Sequence, residues 1–214
     1  MKRNDDWHSK NSLPPNSTIK QRVQWHIEHA RNCPCPSMDA DILEEIKKRY
    51  LNTHQEFWIY FNIYDHKNLA HWAADCAEHV LPFFEEKYPE ESRPRDAIRT
   101  LREWVNTGKF SMPVIRGVSL AAHAAAREVN KADDAARFAA RAAGQAVATA
   151  HVPTHAFGAT LYAIKSVAAA NPTNVKNAVV LERDWQLSQL PENLREWVVA
   201  GLKMNDRLLP KNLR

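Results

Sequence analysis

His151 and His155 stand four residues apart, a spacing that on one continuous helix points both imidazoles the same way. Two imidazoles one turn apart are a common half-site for zinc or another borderline metal. His71 and Asp75 repeat the spacing with an imidazole and a carboxylate. Together the four would make a four-ligand site across two helices of a bundle. On that pattern the chain is a metal-dependent hydrolase acting on phosphate esters. Against it, no HExxH is present, and Pro153 between the two histidines kinks or restarts the helix. Arginines sharing the pocket would also repel a cation. The plainer reading of these residues is a hydrogen-bonded seam or a solvated helix face.

A second metal pattern, His26-x-x-His29-x-x-x-Cys33-x-Cys35, has ligand types that suit zinc. Its spacing matches no zinc-finger geometry, and Pro34 stiffens the loop between the thiols. Ordinary loop cysteines are the simpler account of the Cys33-Pro34-Cys35 segment.

A third set is cationic. His123 and Arg127 form an (i, i+4) pair, and Arg137, Arg141 and Gln145 form a ladder on the next helix. Asp75, Glu78, Asp96 and Glu103 are carboxylates that can answer them. One outcome is a pocket in which a carboxylate–histidine pair moves a proton and an arginine holds an anion. The other is a lattice of internal ion pairs that fixes helix register. For that lattice we expect Asp75 or Glu78 to pair with Arg95, Arg127 or Arg141. The charged stretch from Glu85 to Asp96 reads as a solvated turn, with recognition of a basic partner as its alternative. No GxSxG nucleophile motif and no phosphate-cradling glycine loop occurs. No cofactor is expected.

The elements that must carry these groups are helices. Residues 118–170 are alanine-rich, and alanine lets helix backbones approach closely at little cost in side-chain entropy. Polar groups buried there need partners. Leu69, Trp72, Cys76, Val80 and Phe83 form one stripe of a helix over Asn68–Lys87. Ala97, Ile98, Leu101, Trp104 and Val105 form the apolar face of the next, which Pro94 opens and Gly108 closes. Helices are expected over Pro113–Lys131, Asp133–Val152, Thr154–Ala170, Asn174–Gln189 and Glu192–Leu208. Nearer the start they are expected over Thr18–Arg31 and Met38–Leu51. Thr53-x-x-Glu56 reads as a capping box opening the aromatic run 57–61. The fold class is therefore all-α: a single multi-helix bundle of about eight or nine helices over residues 17–214, its central helices alanine-rich, behind a flexible leader at 1–16. Gly144 and Gly158 read as close helix contacts.

Charge is unevenly spread. Residues 1–36 carry +3, residues 37–92 carry −7 and residues 93–214 carry +8, for a net +4. Such a split fits contacts between halves of one fold, and the acidic middle disfavours nucleic acid as a partner. Three cysteines are too few for a disulfide framework. No apolar run reaches the roughly 18 residues a membrane helix needs. The start has no signal-peptide core, so a cytoplasmic, reduced setting is expected.

The run AHWAADCAEHVLPFFEEKYPEESRPRDAIRTLREW, followed by SLAAHAAARE and AARAAGQAVATAHVPTHAFGATLYAIK, resembles the Imm5-like group of bacterial immunity proteins. Those are small all-helical proteins of polymorphic toxin systems. The likeness spans about residues 68–170. It implies a non-catalytic, antitoxin-like role in which the protein binds and neutralises a cognate toxin, with a homodimer as the other assembly open to it. The positions that carry it are Asp75, Glu78, Arg93, Pro94, Arg95, His123, Arg127, Arg141, His151 and His155. On this resemblance the charged members of that set are the candidate binding residues. Pro153 departs from the glycine-like step usual there.

Overall fold

The computed structural model describes residues 4–32, 42, 45, 63–205, 209–210 and 213. The expected helix over 38–51 (apart from Ile42 and Glu45), the capping box, the aromatic run 57–61 and the Cys33-Pro34-Cys35 segment lie outside the described residues. All regular structure among the described residues is helical, as the periodicity predicts. The chain divides into two compact units, 1–66 and 67–214.

In the first unit, α1 (Asp5–Lys10) lies within the stretch expected as a leader. The Asn4 side chain caps it by accepting from the Trp7 N–H at 3.1 Å, and Asp5 and Asp6 occupy its first turn. Trp7 lies 5.4 Å from the ring of Trp25 on α2 (Ile19–Asn32). Trp25 also stacks on His29 and donates to the Asn11 carbonyl at 2.6 Å. His29 is thus part of an aromatic cluster.

The second unit holds the core. The helix predicted from Asn68 to Lys87 is two pieces. α3 (Ile63–Val80) ends where Pro82 removes a backbone donor, and a single turn, α4 (Pro82–Glu85), follows. The break shifts the phase: Leu69, Trp72, Cys76 and Val80 are buried as expected, but beyond it Phe84, not Phe83, is the buried ring. α5 (Arg93–Thr107) buries Pro94, Ala97, Ile98, Leu101 and Trp104. Gly108, at φ 70°, ends it in the left-handed region and donates to the Trp104 carbonyl.

The next helices are α6 (Met112–Glu128), α7 (Asp134–Ala148), α8 (His155–Ala170), α9 (Val175–Ser188) and α10 (Glu192–Asn205). α7 is the central rod. It packs against α4, α5, α6 and α8 and buries Ala136, Ala139, Ala140, Ala142, Ala143 and Ala146. Small side chains on several faces permit that many neighbours; a leucine at such positions would hold backbones apart. α9 and α10 pack on α8. Trp72 on α3 donates its indole N–H to the Gln186 carbonyl on α9 at 2.6 Å, which satisfies the polar edge of a fully buried ring.

Candidate functional site

Asp75, Glu78 and Arg95 come together between α3 and α5, and of the pairings expected it is Glu78 with Arg95 that forms. Arg102, which no spacing singled out, and Glu85, first residue of the charged stretch, complete the group. Arg102 Nη2 donates to Asp75 Oδ1 at 2.8 Å and to Glu78 Oε2 at 2.6 Å. Arg95 donates to Glu78 Oε1 at 2.8 Å and makes a two-pronged contact with Glu85 at 2.8 and 2.7 Å. Burial opposes the charge on Arg102, yet the bonds it donates to Glu78 and Asp75 outweigh that and hold its pKa above the ordinary arginine value. Arg95 is raised likewise, chiefly by Glu85. Arg102 sits one turn after the core residue Ile98. Its role was legible only as a polar position flanking an apolar face, which is why spacing did not single it out.

The stretch Glu85–Asp96 is solvated at Glu86, Lys87, Pro89, Glu90 and Ser92, as expected of a turn, and is tied to its neighbours by ion pairs. Arg93 grips Glu91 at 2.5 Å and also Glu128 at the end of α6. Lys87 pairs with Asp133, and Tyr88 donates to Asp133 at 3.0 Å. These contacts clamp the turn before α5 to the α6–α7 connection. Hydrogen bonds from Arg93 pull the Glu91 and Glu128 carboxyls below the usual range.

Arg127 and Arg141 do not join Asp75 or Glu78, which corrects that part of the pairing expectation. Arg127 is exposed. The guanidinium of Arg141 lies over the Tyr162 ring, 5.9 Å from its centre. These residues belong to a second assembly, on α6, α7 and α8. Its imidazoles come from an interrupted chain path: α7 stops at Ala148, His151 lies in the turn around Pro153, and His155 opens α8. The expected helix over Asp133–Val152 is therefore shorter, and His151 and His155 do not share a continuous helix. Their rings still approach to 5.1 Å because the turn folds back. His155 Nδ1 bonds to Gln145 Oε1 at 2.7 Å.

The four-ligand metal site does not assemble. His71 Nδ1 contacts Asp75 Oδ2 at 3.0 Å, but that carboxylate's other oxygen is taken by Arg102. Among the described residues, no group of three or more His, Cys, Asp or Glu side chains is placed to hold an ion. The His26–His29–Cys33–Cys35 pattern extends outside them.

The family can now be stated. The family model described as "Imm-5 like putative immunity protein" matches residues 60–193. The chain belongs to that family. The match exceeds the span carried by the sequence resemblance at both ends and takes in every candidate binding residue, from Asp75 to His155. No curated protein and no solved structure matches the chain.

The same matched span contains a polar network that the sequence reading missed. Glu182 on α9 is 3% exposed and contacts His79 Nδ1 at 3.0 Å. It also accepts from Gln186 Nε2 at 2.7 Å. His79 stacks on Trp185, ring centres 3.7 Å apart. Burial pushes the Glu182 carboxyl up, against the opposing pull of Gln186 and His79. The signal available in sequence was weak: Glu182 and Gln186 are one turn apart, but nothing marked that face as the inner one.

Among the described residues, no helix is long and apolar enough to cross a membrane.

Proposed function

We propose that the protein is an immunity protein that binds a cognate toxin domain and blocks it without turning over a substrate. The observation that carries this reading is membership of the immunity family across residues 60–193. The surface that supports it is the start of α6 and the loop before it. There Phe110, Met112, Val114 and Leu120 are 45–55% exposed, beside the exposed cations Lys109 and Arg116. Apolar side chains ringed by charge of one sign suit a partner whose docking patch is apolar at its centre and acidic at its rim. Asp75, Glu78, Arg93 and Arg95 serve this role indirectly, by fixing the helices that present the surface.

The test is co-expression with the toxin domain encoded beside the gene. Growth should be rescued, and the purified pair should bind with an on-rate that falls as salt rises. Leu120→Asp should abolish rescue while the variant stays folded. Rescue unaffected by Leu120→Asp and by Val114→Asp would move the interface elsewhere, and no complex at all would overturn the reading. A free protein that runs as a dimer through this same face would point to the homodimer instead.

A further inference from the structure

Three adjacent helices bring Arg127 and His123 (α6), Arg141 (α7) and Lys165 (α8) to one surface. Arg141 of α7 and Lys165 of α8 both lie over the Tyr162 ring, Lys165 Nζ at 5.1 Å from its centre. His123 of α6 lies within electrostatic reach of Arg141, Arg127 and His155. On the same unit Arg93, Arg95, Arg99, Arg102 and Arg137 each hold an acidic partner. Arg127, Arg141 and Lys165 form no ion pair among the described residues. Lys165 is held below the ordinary lysine value by burial and by Arg141 beside it.

The seat under these groups is built for polar side chains. A Cβ on Gly144 would meet the His123 ring at 2.8 Å, and a Cβ on Gly158 would meet Gln145 Oε1 at 2.6 Å. Both glycines are close helix contacts, as the sequence suggested, and what they admit is an imidazole from α6 and an amide from α7. Gln145 in turn holds His155. His123 Nδ1 and His151 Nδ1 are buried with no hydrogen-bond partner among the described residues. Like charges gathered on rigid helices beside unpartnered imidazoles oppose stability unless something offsets them.

We infer that the α6–α7–α8 face is a binding site for a phosphoryl group, inorganic phosphate or a phosphate monoester, held by Arg141 and Lys165 with His123 and Arg127 at its side. A dianion suits three uncompensated cations, and its tetrahedral oxygens can accept from donors arriving from three helices, where a carboxylate accepts in one plane. Val114 lies at the start of α6, three turns before Arg127, so Val114→Asp losing the toxin while keeping phosphate would separate the two assignments.

The experiment titrates inorganic phosphate into the full chain at ionic strength matched with chloride, following the histidine ring resonances by NMR and the melting temperature. A phosphate monoester forms a parallel arm. Saturable shifts of the His123 and His155 signals are expected, with the His123 titration moved to higher pH and the melting temperature raised. Arg141→Gln and Lys165→Gln should each weaken binding about tenfold or more. Arg99→Gln, which loses only a surface pair with Asp96, should bind like the parent. If phosphate and monoester behave as chloride does, or if Arg141→Gln and Lys165→Gln both bind like the parent, the assignment is wrong. Should one variant fail to fold, the other and the parent's NMR response still decide.

Discussion

The His123 imidazole rests on the backbone of Gly144, its ring atoms 2.8–3.0 Å from where a Cβ would stand. Replacing Gly144 by alanine must displace that ring or part α6 from α7. Ser119, which donates to the Gly144 carbonyl at 2.8 Å, would move with it. Gly144→Ala should therefore cost about 1–3 kcal/mol despite alanine's better helix propensity. Gly117 has nothing within 4 Å of its notional Cβ, so Gly117→Ala should stabilise by about 0.5–1 kcal/mol. Chemical denaturation of the two variants checks the contrast; equal effects would mean that His123 is not seated there.

Arg102 joins two carboxylates of α3 to α5, and Arg127 joins none. Arg102→Ala should lower stability by about 1–2 kcal/mol, a network value above that of a lone exposed pair. Arg127→Ala should stay within about 0.5 kcal/mol of the parent. A double-mutant cycle on Glu78 and Arg102 measures the coupling directly, and a coupling near zero would make the array decorative.

Stability should fall toward acid through the imidazoles. Burial first, then Arg141, Arg127 and His155, hold His123 below the ordinary histidine value; burial and His151 do the same to His155. With folded values depressed, the unfolded chain binds more protons between the folded pKa and the ordinary value near 6.5. Stability therefore rises with pH through that window and is lost below it. His123→Asn should flatten this part of the melting temperature–pH curve, and a curve of unchanged slope would remove His123 as a cause.

Glu182 acts with the opposite sign. Its folded pKa is raised, so above the ordinary glutamate value of 4.5 the folded state holds the proton longer, and stability falls as pH climbs toward the folded pKa. Glu182→Gln keeps an acceptor for Gln186 and removes the ionisation. It should therefore remove this contribution, read as a melting temperature that rises more steeply with pH above about 4.5 than the parent's does.

Cys76 is fully buried, and burial, then Glu182, push its thiol well above the ordinary value. In a chain carrying Cys33→Ser and Cys35→Ser, a disulfide reagent should leave the folded protein unmodified and react fully once denaturant is added. Rapid labelling of the native form would show that this part of α3 opens.

The sequence by itself determined the helical class, because alanine content, 3.6-residue periodicity and the Pro94 and Gly108 boundaries are local properties of the chain. It also offered Asp75 and Glu78 as carboxylates for an arginine, with Arg95, Arg127 and Arg141 left open as the partner. The tertiary structure alone decided which charges meet. Arg102 rather than Arg127 bridges to α3, because charge attraction has no sequence range and the crossing of two helices selects the partner. It alone also revealed Glu182 beneath His79, and the glycine seats on α7 and α8. A residue's depth and the side chain lying against it depend on neighbours on other helices, more than ten positions away, which no spacing rule contains.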